Sequence, residues 1–486
     1  MPDCSPLPAA ELTNPVILGD GTPGSVSQAM LQAALDGGGP VLIDQGAQPS
    51  TITLSSELIV RGDGVLAGAG LITLDGQNNT GLIRLENPNN LSYHFVVQGL
   101  RLRNARKNSE SGAAIFKPVG GPWQAVDLTV INSHFTDNTA IAVDQDGGGG
   151  AIYAIGLNRL SIGGTVFDGN RGSNGGAVYS LGSREIKIVD SSFNNNIATG
   201  FNGNPGNGGN GGAMGVDGAE RQVVICRSDF IDNQANAFGA GFFTVMYDTI
   251  SLSAFEDVNF IRNLNPGDFG FAAGAYLQGG PFRLRRTSFI DNQANSVGGL
   301  FLGPQASGEI VNSTFYGNIA RTGLAGAISI DSSVVATIAH STVANNHAPG
   351  DVGFVGGIQV SASNQITMSN TLLANNTGGN VFNPWNIRNT VADGGGNMQF
   401  PRQRPNGQDE VPATASVIWD DPLLENAADN GGMTLTMALP AISPAIDLAS
   451  GSPSIPQDQR GVSRLGPADI GAYEFTSDTL FTSSFE

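Results

Sequence analysis

The chain has 486 residues, 68 of them glycine, and carries 42 acidic against 23 basic side chains, a net charge of −19. With only three lysines (Lys107, Lys117 and Lys187), that balance argues against binding to nucleic acid or to an anionic membrane surface. No run of eighteen apolar residues exists to span a bilayer, and the two cysteines, Cys4 and Cys226, sit in no CxxC or Cys/His cluster that would hold zinc.

The chain starts Met1-Pro2-Asp3-Cys4 without a basic, apolar leader, so no signal peptide is expected in it. A lysine-poor composition rich in Asn, Gly, Ser and Thr nonetheless fits an extracellular or cell-surface protein. Cys4 and Cys226 could pair only if the N-terminal segment folds alongside the body of the chain, and free thiols are the simpler expectation. A helix is predicted next. Ser25-Val26-Ser27-Gln28 has the form of a capping box, and Val26, Met30, Leu31, Ala34 and Leu35 make one apolar face that stops at Gly37-Gly38-Gly39. Residues 1–39 are read as a cap over the raw end of a solenoid.

Strand-like segments come at 41–44, 51–54, 58–60, 71–74, 82–85 and 95–102, as first, less regular coils. From 135 onward a phrase recurs nine times: an apolar residue, two variable residues, then asparagine. The apolar residues are Phe135, Phe167, Phe193, Phe230, Phe260, Phe289, Phe315, Val343 and Leu373. The asparagines are Asn138, Asn170, Asn196, Asn233, Asn263, Asn292, Asn318, Asn346 and Asn376, spaced 26 to 37 residues apart. A repeat of that period is one supersecondary unit stacked on copies of itself. Eight residues before each asparagine the chain is always apolar, and five before it stands Ser or Thr in eight of nine copies. The change of spacing from two to three marks a corner between two short strands. A Gly-containing strand comes after each asparagine, as at Gly150-Ala151-Ile152. Three short strands per coil make an all-β parallel β-helix, with residues 40–390 assigned to it. The asparagines are expected to stack as a hydrogen-bonded ladder, since the amide both donates and accepts, and not to form a glycan or metal comb.

The repeat leaves two features unexplained. Six residues before the asparagine, four successive coils carry Asp190, Arg227, Asp257 and Arg286, and just before it stand Asp232, Arg262 and Asp291. Arginines as substrate clamps or base and aspartates as metal ligands would suit a polysaccharide lyase, whereas strict alternation of sign suits a cross-strand charge ladder, the preferred reading. The second feature is the connection between the asparagine and the glycine strand, which varies in length. Its longer copies, 143–149 with Asp144 and Asp146, and 198–210 with Asn202, Asn204 and Asn207, are the candidate binding edge. A ligand or calcium site there competes with plain solvent-exposed loops; no other cofactor and no other metal is expected.

The repeat fades after Asn376. Residues 391–476 form a distinct C-terminal segment and 477–486 a tail. Two stretches carry a resemblance. Gly149-Gly150-Ala151-Ile152 beside Phe135 and Asn138 resembles the repeats of polymorphic outer-membrane proteins. DNGGMTLT at 429–436, SPAID at 443–447, DQRG at 458–461 and DIGAYE at 469–474 are similar to a choice-of-anchor Q domain. The resemblance implies a right-handed parallel β-helix on a secreted or surface-displayed bacterial protein. LFTSSFE at 480–486 is similar to the short Phe-Glu-ending tails of such proteins, but lacks the apolar span and terminal basic cluster of a sorted membrane anchor. Asp458, Arg460, Asp469 and Glu474 are expected to form an ion-pair network that folds the segment onto the last coil. The functional expectation is a non-enzymatic adhesion, structural or glycan-binding module. The alternative is a polysaccharide lyase of pectate-lyase-like fold, or a glycoside hydrolase, working on acidic polysaccharides along the flank. His94, His134, His340 and His347 sit in no setting that such a hydrolase would use.

Overall fold

A computed structural model describes the whole chain except residues 1, 204, 205, 220, 352, 362–364, 453, 454, 465 and 477–486. It is a parallel β-helix of about thirteen turns. One coil shows how the residues make it. The strand Val126–Ile131 ends at Asn132, whose positive φ turns the chain into the strand His134–Thr136. A second positive φ at Asp137 turns it again, Asn138 points inward, and the two-residue strand Thr139–Ala140 comes next. After the loop, Ile152–Ile155 forms the last wall. The sequence pattern contains three of these strands; the two-residue strand after the asparagine is a fourth, too short to carry a periodicity of its own.

Each strand pairs in parallel and in register with its equivalents before and after. Phe135 lies between Leu102 and Phe167, and Ile152 between Ile115 and Val178. The two strands on either side of the first corner belong to one 24-stranded sheet, because in coils such as Gln222–Ile231 they run through without a break. The wall from Leu58–Val60 to Ile358–Val360 is an 11-stranded sheet, and the short strands form sheets of five and four. Pairing does not stop at residue 390: Ala392–Asp393, Met398–Phe400 and Ile418–Trp419 add to the large sheet.

Inside, the apolar positions fuse into one core along the axis. Seven phenylalanines from Phe135 to Phe315 stack with centroids 4.7 to 5.0 Å apart, near the spacing of about 4.8 Å between adjacent strands. Beside them runs the asparagine ladder. Asn233 is typical: its Nδ2 donates to Asn263 Oδ1 (3.0 Å) and to the Phe193 carbonyl (2.9 Å), while its Oδ1 accepts from the backbone N and the Nδ2 of Asn196 (both 3.0 Å). All four polar valences of a fully buried amide are thereby filled. The Ser/Thr column makes a second ladder: Ser191 donates Oγ–H to the Val189 carbonyl across the corner and accepts the backbone N–H of Thr165.

The helix Gln28–Gly37 covers the first coil with Leu31, Ala34 and Leu35 packed on the core. Its N-cap is Ser27, which accepts from the Met30 N–H; Ser25 instead closes the preceding turn, and Gln28 reaches Ser55 and Ser56. Met30 is exposed, one position off the buried stripe. Gln32 Oε1 accepts from the N–H of Ile59 and its Nε2 donates to the Ile59 carbonyl, so a side-chain amide occupies the place of a missing strand.

Residues 2–12 do not belong to that cap. They run along the outside of the large sheet, over the column seven residues before each ladder position: Ala10 pairs with the Gln98 amide, Leu7 lies on Gly163, and Cys4 forms a disulfide with Cys226. Free thiols, the simpler expectation, are not found, and the overlying N-terminal strap is the reason. Val189 and Cys226 point out of the sheet yet are fully buried beneath it. The C-terminal segment lies on the same sheet further along. Expected on the last coil, it meets that coil where the Gly451 N–H donates to Asn370, and it reaches further back to Asn259, which donates to the Met433 carbonyl, and to Thr314, which donates to Gln459.

Replacing Asn233 with Ala would strand the Asn196 N–H and the Phe193 carbonyl in a dry core. At about 1–3 kcal/mol for each orphaned group, we expect a loss of roughly 4 kcal/mol, read as a shift of the guanidinium unfolding transition. A shift no larger than that of half-buried Asn236→Ala, which gives up a single hydrogen bond to the Gly200 carbonyl, would refute the ladder's structural weight.

Candidate functional site

The column six residues before the asparagine is a backbone corner. All nine of its residues, including Asp190, Arg227, Asp257 and Arg286, have φ between 44° and 58°, and the nine residues just before the asparagines have φ between 51° and 67°. Asn, Asp and Gly accept this left-handed region most readily, which accounts for most of both columns. Arginine has no such preference, so Arg227, Arg262 and Arg286 hold these corners through their side chains.

Arg227 donates from Nε to Asp190 Oδ1 (2.6 Å) and from Nη2 to Oδ2 (2.9 Å). Arg286 makes the same fork on Asp257 (2.6 and 2.7 Å) and adds Glu256 (2.8 Å). Arg262 forks onto Asp232 (2.9 and 2.7 Å). Each arginine therefore reaches back one coil to the aspartate before it, and the column is a set of closed bidentate pairs. The hydrogen bonds to Asp190 and Asp257 raise the pKa of Arg227 and of Arg286. Arg227 also donates Nη1–H to the Cys4 carbonyl (2.8 Å), so the column lies where the N-terminal strap ends and the C-terminal segment begins.

The variable loops fold back on themselves. Asp144 Oδ1 accepts the N–H groups of Asp146 and Gly147, and the Asp144 carbonyl accepts from Ser173 Oγ. Asn207 pairs backbone to backbone with Phe201, and its carbonyl also receives Ser173. Asn202 is exposed with φ 69°, and Asn204 lies outside the described residues. Asn174 Nδ2 ties the first loop through the carbonyls of Gln145 and Gly147. Among the described residues, no group of three or more His, Cys, Asp or Glu side chains converges as a metal site would require. Among them, too, no helix is long and apolar enough to cross a membrane.

In the C-terminal segment, Arg460 pairs with Asp458 (2.8 Å) and lies over the Tyr473 ring, Asp469 accepts the N–H groups of Asp447 and Phe475, and Glu474 accepts that of Asp469. The network organises the segment internally. A fifth member, Arg464, pairs with Glu474 (2.9 Å) and reaches Asn312 on the solenoid. Sequence reasoning passes over Arg464 because it lies outside the DQRG and DIGAYE stretches. Beneath the segment His340 is 1 % exposed, with Nε2 2.9 Å from Asn370 Nδ2. Burial, aided by the Arg464 charge, pushes its pKa down to about 3. Matched against models of known protein families and against curated proteins, the chain has no counterpart in either.

Arg286→Gln leaves Glu256 and Asp257 largely buried, adjacent and unpaired, and is expected to cost about 2 kcal/mol; Arg262→Gln, at a more exposed pair, should cost under about 1 kcal/mol. Equal losses in denaturant titration would contradict this ranking. His340 stays neutral when folded but takes a proton near pH 6.5 when unfolded, so its contribution is complete above that pH and is lost progressively as pH falls toward 3. Between pH 7 and 5 the wild type should therefore lose more thermal stability than His340→Asn, which keeps the residue type found at Asn312 and Asn370; parallel curves would dismiss the assignment.

Proposed function

We propose that the chain is a secreted or surface-displayed, non-enzymatic β-helix serving as an adhesion, structural or glycan-binding module. In this reading its coils are polymorphic-outer-membrane-protein-like repeats and residues 391–476 a choice-of-anchor-Q-like segment. The observation that carries the non-enzymatic part is the state of the Asp/Arg column. A lyase base must give up its proton, and the aspartates hold Arg227 and Arg286 more firmly in the charged form. Both oxygens of Asp190 and of Asp257 accept from those same arginines, whose positive charge disfavours a metal cation at either carboxylate. Export is supported separately by the Cys4–Cys226 disulfide, since such bonds persist in oxidising compartments.

The test is a depolymerisation screen on uronate-containing polysaccharides, following the absorbance of unsaturated products, beside a glycan array. Binding without turnover is expected. Product release that disappears in Arg227→Ala or Arg286→Ala would establish the lyase alternative instead.

A further inference from the structure

Along the edge where the 11-stranded wall meets the large sheet, equivalent turns of successive coils carry Gln124, Gly156, Gly182, Gly218 and Tyr247, linked by backbone hydrogen bonds. The indole of Trp123 lies across two of these glycines. A Cβ at Gly156 would stand 2.6 Å from its Cε3, and one at Gly182 would enter the six-membered ring. Both glycines have positive φ, and their missing side chains are what seat the indole. Trp123 is nevertheless 58 % exposed: a large aromatic ring held on glycine backbone and open to solvent.

Next to it is a cleft of about 480 Å³ lined by Gln124, Arg184, Glu185, Arg221, Gln222 and Ile250. A second cleft of about 550 Å³ shares Glu185 and Gln222 and continues to Lys187 under the N-terminal strap. Together they place Arg159, Arg184, Lys187 and Arg221 against the two carboxylates of Asp3 and Glu185, in a protein whose net charge is −19. Lys187 and Arg159 are paired to those two acids. Among the described residues neither Arg184 nor Arg221 forms a close ion pair of the kind made by Lys187 and Arg159, although the charges of Asp217 and Asp248 act on Arg221. Arg221 is 6 % exposed, its guanidinium folded over Gly218, and among the described residues its Nη1 has no hydrogen-bond partner. Burial pulls this guanidinium down to about 10, so its charge is held at a cost that an incoming anion would offset.

An open indole face takes the C–H side of a pyranose ring, and planar guanidiniums beside it take carboxylates. We propose that this groove binds an acidic polysaccharide, with a sugar ring on Trp123 and uronate carboxylates on Arg184 and Arg221. The inference rests on the glycan-binding part of the function proposed above, and gives it a ligand class and a place on the molecule that does not involve the Asp/Arg column.

Titration of the full chain with polygalacturonate oligomers, and with their methyl esters as the neutral counterpart, tests it. Trp123→Ala and Arg184→Ala both alter exposed side chains and should leave the thermal transition in place. Each is expected to weaken uronate binding at least tenfold, and esterification to weaken it similarly, while Arg262→Gln leaves it unchanged. Uronate binding that survives both substitutions would overturn this site and leave the glycan-binding reading standing. Binding of neutral glycans only would overturn the acidic assignment. Silence toward both titrants and across a glycan array would overturn the site and the broader reading together.

Discussion

The structure depends on one interaction, the buried amide-to-amide hydrogen bond between asparagines of successive coils. Each asparagine accepts the backbone N–H of its predecessor, donates to its successor, and donates again to the carbonyl of the preceding coil's Phe position. The ladder therefore has a direction, and its last member needs an acceptor that the repeat no longer supplies. Asn376 donates to Asn386 Oδ1 (2.9 Å), and the N–H of Asn386 goes to a Glu410 carboxylate oxygen (3.2 Å). Glu410 is buried, accepts the Trp385 N–H as well, and stands 3.6 Å from Arg404. Burial raises its pKa, which places the cost of ending the ladder on one carboxylate. At the other end the N–H of Ala105 donates to Asn138 Oδ1, so the ladder starts from plain backbone.

An inward amide at one fixed position obliges the chain to turn immediately before it, and the left-handed corners result from that. Two corners per coil make two outward columns, and these columns accumulate the polar residues that resemble a site. Asp190, Arg227, Asp257 and Arg286 stand in line because corners stand in line. At about 1 kcal/mol for a left-handed residue other than Gly, Asn or Asp, a bidentate partner one coil away is a physical reason for arginine to be tolerated there. The same logic covers His340, which exchanges a hydrogen bond with Asn370 in its own column.

What can be read from the sequence is what repeats with the coil. Phe135 and its equivalents, the Ser/Thr column and all nine asparagines carry a periodicity, so architecture and ladder are legible from spacing alone. The helix is legible as a helix, but Ser25 and Ser27 offer the same hydroxyl, and only the turn made by Asp20, Thr22 and Ser25 decides which one caps it. Contacts made by non-repeating segments have no such signal. The Cys4–Cys226 bond depends on a strap lying over an outward column, Gln459 docks on a coil far from it in sequence, and Trp123 acquires its seat from glycines of two later coils. In each case one partner belongs to the repeat and the other does not, so periodicity places only half of the pair.

That division also sorts the surface. The outward columns of the large sheet are covered by the N-terminal strap up to Cys226 and by the C-terminal segment from Asn259 onward, with the Arg227, Asp257 and Arg286 pairs at the seam. The outer face of the 11-stranded wall is covered by the loops, with Phe238 packed on Phe243 and Tyr276, and Tyr153 donating its hydroxyl to the Asp146 carbonyl. The turns between these two walls carry glycines at Gly156, Gly182 and Gly218, so the backbone itself forms the floor there. A floor without side chains admits whatever non-repeating residues are laid on it, and here those are an indole and a guanidinium. The loops, which vary most in length, are committed to covering aromatic residues, whereas the glycine edge leaves room for a ligand.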